Sequence, residues 1–393
     1  MDAMASLTNR QLFILALSAG ASVANLYYAQ PLLAVIAQSF GATSFVGTLA
    51  AAPQIGYTFG ILFILPLGDL VDRRKLTVCL AALQMVTMLA CALAPTFPIL
   101  VAASLFIGFG ATITQIVIPL AADLAAPERR AHAVGVVFSG LLTGLLLART
   151  VSGFIGEWLG WRWMFALASL IALILGSVLG SSLPKVSPRT TQSYGQLLAS
   201  MFGLLKKYRA LQIACLMQAC SFAVFSAFWS VLSLLLSKPP FEFGPAVAGA
   251  FGLIGLVGIA AANRSGRLIK RIGAYTSLLI GQASCLAAFI VFPLVVSVPG
   301  LIVGIILLDF GLSIANVSNQ SKILGLDESA RSRINAVYVT AIFMGGACGS
   351  AVASVAWVHG GWSAVCVFGL VAALLPLVLH VACTERGKSL SKV

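Results

Sequence analysis

The chain has 393 residues, of which 60% are hydrophobic and only 9% charged, with a formal net charge of +13. Soluble globular domains carry about 25% charged residues, so this composition excludes an ordinary soluble enzyme, a disordered polar chain and a disulfide-stapled scaffold. At roughly 20 apolar residues per membrane-spanning helix, 60% of this length supplies about 12 spans.

In chain order, the apolar stretches predict spans over 11–38, 45–67, 76–95, 97–125, 132–156 and 162–183, then 210–236, 245–269, 274–296, 299–322, 333–357 and 361–382. Lys and Arg total 24, and on this map 21 of them lie in the loops of one side or at the span ends that adjoin those loops. The other side holds only Arg162 and Lys238, and Arg149 lies inside a span. Such asymmetry marks the cytoplasmic face, so both termini are expected in the cytoplasm of a multi-pass cytoplasmic-membrane protein. The positive charge thus reports topology, and nucleic acid is not an expected partner. Trp158, Trp161, Trp163, Trp357 and Trp362 fall at the opposite ends of spans, where amphipathic rings settle at the interface. The eight cysteines form no Cys-x-x-Cys pair and the three histidines are scattered, so neither a metal nor another cofactor is expected.

One long polar stretch interrupts the pattern, from Pro184 to Arg209. It reads as a cytoplasmic linker, 184–209, between six-helix halves at 1–183 and 210–393. The halves repeat. Gly160-Trp161 precedes the sixth span and Gly361-Trp362 the twelfth; the Pro127–Val134 segment after the fourth span has a counterpart at Asp327–Val337 after the tenth; Gly68 and Gly266 each introduce a basic cluster. Duplicated halves are how many secondary transporters build a central site and rock around it.

The segment Gly68-Asp69-Leu70-Val71-Asp72-Arg73-Arg74-Lys75 resembles the loop signature of the major facilitator superfamily between helices two and three. Pro127 to Gly135 and Gly160-Trp161-Arg162-Trp163-Met164-Phe165 match that family in the corresponding places. The resemblance covers essentially the whole chain. It implies an all-α membrane protein of twelve transmembrane helices in two pseudo-repeated halves, working by alternating access around a central cavity. It also implies a cytoplasmic latch in which Gly68, Asp69, Asp72 and Arg73 meet Asp123 at the end of helix four; the alternative role for these charges is to set topology. Lys75 departs from the pattern, standing where the family has a glycine. A second departure lies in helix five, where Gly144, Ala148, Ser152 and Gly153 keep the small residues of the drug/proton antiporter signature while Arg149 replaces its proline.

A charge at mid-membrane costs about 2.5–3.5 kcal/mol on insertion scales and normally needs a partner or water. At 1.5 Å per residue, Arg149 lies roughly 12 Å and Asp309, in helix ten, roughly 13 Å from the same end of their spans. They are expected to pair in one access state and separate in the other, which gives Asp309 a route to proton coupling, because a carboxylate beside a cation stays ionised and one deprived of it in apolar surroundings takes up a proton. A permanent structural ion pair is the alternative. Asp309, Ser313, Asn316 and Gln320 recur at i, i+4, i+7 and i+11, one face of helix ten. With Asn25, Tyr28 and Gln30 in helix one, Thr112 and Gln115 in helix four, and Gln218 and Trp229 in helix seven, they form the candidate substrate cavity; interhelical hydrogen bonds are the competing use of the same residues. Gln54, Tyr57, Asn335 and Tyr338 are further candidates.

No Lys-Ser/Thr follows any glycine cluster, so no phosphate loop is read and the energy source is expected to be an ion or cargo gradient. The expected function is secondary active transport of a small organic solute by a monomer in a lipid bilayer, with proton-coupled efflux first. Import of a small, anionic metabolite by symport or facilitation is the alternative. No catalytic constellation supports an enzyme.

Overall fold

The computed structural model describes residues 7–42, 45–185 and 192–390. Arg189, Lys392 and part of the expected linker, 186–191, lie outside the described residues. Among the described residues, nine helical stretches are long and apolar enough to cross a membrane. One of them, Arg331–Val381, turns at Gly360 and Gly361 and makes two spans, helices eleven and twelve. Two more are interrupted. Helix one is Asn9–Ala24 continued by Gln30–Phe40, and helix eight starts as Pro245–Gly258 and runs to a kink at Gly273. Together these helices fit the twelve spans expected from the sequence. Helix two is Val46–Asp69, helix three Arg73–Leu93, helix four Phe97–Leu124, helix five Pro127–Trp158 and helix six Trp161–Ser182. Helix seven is Arg209–Leu236, helix nine occupies 274–294 and helix ten is Val298–Ile323. The expected linker contains a helix of its own, Tyr194–Lys207. Leu197, Met201 and Leu204, spaced to share one side of that helix, are buried.

The glycines of the repeat have a backbone reason. Gly160 (φ 92°) and Gly361 (φ 59°) adopt the left-handed conformation that turns the chain into helices six and twelve, and Gly273 (φ 83°) does the same between eight and nine. The tryptophan after each repeat glycine then seats by its ring nitrogen, Trp161 Nε1 donating to Ser39 Oγ at 3.2 Å and Trp362 Nε1 to the Phe292 carbonyl at 3.3 Å.

By contact the described chain forms two compact units. The first holds most of the residues up to Leu198 together with Leu236–Gly252; the second holds the start of helix two, the chain from Ala199 to Leu235 and the chain beyond Leu253. Inside the first unit, helix one crosses helix five where Ala16 and Gly20 meet Gly140 and Gly144. A Cβ on either helix-five glycine would strike backbone atoms of helix one. Inside the second, helix seven crosses helix eleven in the same manner, Ala219 and Ala223 against Gly345 and Gly349. Small residues let backbones approach where lipid offers no hydrophobic drive for association. A polar peg accompanies each crossing. Ser22 Oγ donates to Gln84 Oε1 of helix three at 3.3 Å, and Ser221 Oγ to Gln282 Oε1 of helix nine at 3.0 Å. The repeat is therefore one of contacts as well as of sequence.

Helices three and six cap each other reciprocally. Arg162, opening helix six, donates through Nη1 to the carbonyls of Ala92 and Ala94 at 3.0 and 2.9 Å, where helix three ends. Arg74, opening helix three, donates to the Gly180 carbonyl near the end of helix six. Carbonyls in a helix's last turn have no partner inside the helix, and a cation there also meets the negative end of its dipole. Arg162 lies at the solvent-exposed interface, so Arg162→Ala is expected to cost only about 1 kcal/mol. A modest fall in the midpoint of heat-induced aggregation in detergent would show it, with Arg162→Lys recovering part of the loss.

Candidate functional site

Helix one breaks where its polar residues lie. Pro31 has no N–H, so the Tyr27 carbonyl cannot receive the usual bond from four residues on. The chain tightens instead: Leu26, Tyr27, Gln30 and Leu32 donate their N–H groups three residues back, to the Val23, Ala24, Tyr27 and Ala29 carbonyls at 2.9–3.1 Å. The span expected over 11–38 is therefore interrupted, and Pro31 is the residue that interrupts it. Irregular backbone at membrane depth is tolerated where protein covers it or a cavity solvates it. Here helix five covers it, with Ser152 Oγ donating to the Tyr28 carbonyl.

Arg149 sits beside this break and is 3% exposed. Its Nε donates to Gln30 Oε1 at 2.8 Å, and its guanidinium carbon lies 4.8 Å from the centre of the Tyr27 ring. A buried guanidinium is thus met by an amide oxygen and an aromatic face, both from helix one. Asn25 and Tyr28 are buried in the same stretch. On helix four, Gln115 Nε2 donates to Tyr57 Oη of helix two at 2.9 Å, and Thr112 sits at a bend between Phe97–Ala111 and Ile113–Leu124. Gly60 of helix two leaves the room that the Thr112 hydroxyl occupies.

In the second unit, Asp309 is 6% exposed in the middle of helix ten. Helix eight approaches it at Gly258, where an added Cβ would lie 3.1 Å from Asp309 Cβ and 3.3 Å from Ser313 Oγ. Further along, the polar stripe turns to other neighbours. Tyr338 Oη of helix eleven donates to Asn316 Oδ1 at 3.0 Å, and Gln320 Nε2 donates to Asn335 Oδ1 at 2.9 Å. Asn319, absent from the sequence-derived set, is buried and donates through Nδ2 to Gln218 Oε1 of helix seven at 3.3 Å. It sits one position before Gln320, so a stripe counted from Asp309 passes it by. Trp229 packs among Phe225 and Phe228 with ring centres 6.1 and 5.5 Å away. Arg149 with Gln30 and Gln115 with Tyr57 in the first unit, and Gln218, Asn316 and Gln320 in the second, are therefore hydrogen-bonded within their own unit. Arg149 belongs to the first unit and Asp309 to the second.

The loop after helix two builds a clamp around one cation. Arg73 is 6% exposed; Nη2 meets Asp69 Oδ1 at 2.6 Å, Nη1 meets Asp123 Oδ2 at 2.8 Å, and Nε donates to the Gly68 carbonyl at 2.8 Å. Asp72 acts at the helix terminus, its carboxylate accepting the Arg74 N–H at 3.0 Å to cap helix three. That cap explains how Lys75 replaces the family's glycine. Helix three already begins at Arg73, so Lys75 lies in its first turn, where no glycine conformation is needed.

A bilayer-spanning bundle of repeated six-helix halves, with buried polar side chains at helix breaks, defines a membrane carrier. The chain belongs to the major facilitator superfamily, whose profile matches residues 12–326. It is 36% identical over 368 residues to the putative uncharacterized transporter YgaY of Escherichia coli strain K12, covering 93% of each chain. It is also 36% identical over 368 residues to the probable transporter SCO4007 of Streptomyces coelicolor, covering 90% of this chain and 83% of that one. In fold it is similar to the human organic anion transporter MFSD10, with a TM-score of 0.70 at 17% identity, over 94% of this chain and 98% of that one.

Proposed function

We propose that this transporter exports a small organic solute from the cytoplasm in exchange for protons, with both termini on the cytoplasmic side. The observation that carries the reading is Asp309, a carboxylic acid buried at mid-depth in helix ten beside Gly258. Acidic side chains at that depth are costly, and a carrier that retains one has a group able to take a proton on one side and release it on the other. The polar residues lining up from Asp309 toward Tyr338 and Asn335 supply neutral hydrogen-bonding groups suited to an uncharged or weakly polar cargo. The Arg73 clamp with Asp69 and Asp123 is the proposed cytoplasmic latch of the cycle.

The decisive measurement uses everted vesicles carrying the protein, with an imposed inward-acid gradient and a panel of labelled drugs, sugars and organic acids. Cargo uptake that dissipates the gradient, and stops when a protonophore collapses it, is the expected result. Uptake that ignores the gradient would refute proton exchange.

A second reading has its own observation. The guanidinium of Arg149, held between Gln30 and the Tyr27 ring at the break in helix one, is a natural partner for a carboxylate. It favours import of an anionic metabolite. Arg149→Gln is expected to weaken binding of organic acids by about tenfold or more while leaving neutral ligands unaffected, read by ligand-induced thermal shifts. Equal loss for both ligand classes would exclude this reading.

A further inference from the structure

The small residues of helix five face the first turns of helix eight, and both lie in the first compact unit. Arg149, Gly153 and Glu157 recur every fourth residue and form one stripe. Opposite them run Gly244, Pro245, Gly249 and Gly252. A Cβ on Gly153 would strike the Pro245 carbonyl, one on Gly249 the Arg149 carbonyl, and one on Gly252 would press on the Arg149 side chain. Thr150 Oγ1 donates to the Gly249 carbonyl at 3.1 Å. The stripe ends in a charge: Glu157 Oε2 accepts the backbone N–H of Ala246 at 2.7 Å. Gly244 leaves the carboxylate its room, since a Cβ there would meet Glu157 Oε2 unless the glutamate side chain shifted.

The first N–H groups of a helix have no internal partner, and a carboxylate at that end both accepts a bond and meets the positive end of the dipole. Helix eight begins with Gly244 and Pro245, neither of which has a side chain able to cap it. The cap comes instead from a residue 89 positions earlier in the sequence. Helices five and eight belong to different six-helix halves of the repeat, and Glu157 lies at the end of helix five away from the basic loops. Any cycle that opens that side by parting the halves has to break this cap.

We propose that Glu157 is a positioning residue of the outer gate, latching helix eight to helix five through the Ala246 N–H whenever the side away from the basic loops is closed. The inference rests on the alternating-access reading above. The latch is an ionic cap on a backbone donor, so it holds wherever the first turn of helix eight is docked and does not depend on cargo.

The test removes acceptor and donor separately. A reporter cysteine at Ala248, a buried position in helix eight, is labelled with a membrane-impermeant maleimide from the outer side of intact cells, with the chain lacking that cysteine as background. Glu157→Ala should speed labelling about fivefold by favouring the open side, with Glu157→Gln intermediate because its amide still accepts. Ala246→Pro leaves the carboxylate in place and removes its donor; it should match Glu157→Ala, and the two together should add nothing further. A purely structural role would instead lower the thermal midpoint without changing accessibility. Labelling equal to the parent in both variants, or full additivity between them, overturns the latch. Should the parent reporter itself not respond to an imposed cargo or pH gradient, alternating access at this seam is refuted and the latch falls with it; a responsive parent with unresponsive variants refutes the latch alone.

Discussion

Asp309→Asn is expected to insert and fold normally yet to lose proton-driven transport, falling to the background of empty vesicles. The substitution keeps the side-chain volume and replaces a costly carboxyl by a neutral amide. On insertion scales the charged form costs about 2.5–3.5 kcal/mol at mid-span, so the Asn protein should be no less stable in detergent than the parent. The variant lacks a group that can exchange a proton within helix ten, where Asp309 lies against Gly258. Exchange of labelled for unlabelled cargo across the vesicle needs no net proton movement and should persist. This pairing of lost gradient-driven uptake with retained exchange separates a coupling role from a structural one. Asp309→Glu, which restores the carboxyl on a longer arm, should recover part of the driven uptake. Gradient-driven uptake by the Asn variant at the parent rate would remove Asp309 from the coupling scheme.

The second large effect is expected at Arg73. Arg73→Ala removes one guanidinium that serves Asp69, Asp123 and the Gly68 carbonyl together. The two ion pairs are not equal. The Asp69 side chain is 44% exposed and its pair is screened by water, whereas the Asp123 side chain is 23% exposed and its pair carries most of the energy. Losing the cation should destabilise the protein by about 2 kcal/mol, well above the cost of Asp69→Asn. Arg73→Lys should rescue little, since one ammonium cannot reproduce a planar fork that reaches three acceptors. Thermal unfolding in detergent gives the stability ordering, and vesicle transport tests the latch. If the charges only set topology, Arg73→Ala would keep its midpoint and its transport while shifting insertion orientation. The clamp predicts the reverse.

Much of the architecture was legible in residue order. Spans could be drawn because lipid imposes a one-dimensional rule: about 20 apolar residues in succession, with cations held to one side. Gly160-Trp161 and Gly361-Trp362 stood out in the sequence, and each glycine makes a turn at a positive φ that no other residue adopts cheaply. Gly144 and Gly349 both lie at helix crossings, where small residues let backbones approach. Helix ten's stripe was also visible, though periodicity located it without naming its partners. Asn319 escaped because its use depends on Gln218, on a helix about a hundred positions earlier.

Apolar run length by itself determined that this protein crosses a membrane many times, since that is a local property that lipid sorts without reference to distant contacts, and the Gly68–Lys75 segment carried the resemblance to the major facilitator superfamily, to which the chain belongs. Tertiary structure alone decided that Pro31 breaks helix one beside Arg149, that Gln30 and Tyr27 receive its guanidinium, and that Glu157 caps a helix in the opposite half of the repeat. Those choices join residues about ninety to a hundred and twenty positions apart. Buried polar groups must find partners wherever packing happens to bring them, and the pattern along the chain carries no record of which distant helix will arrive.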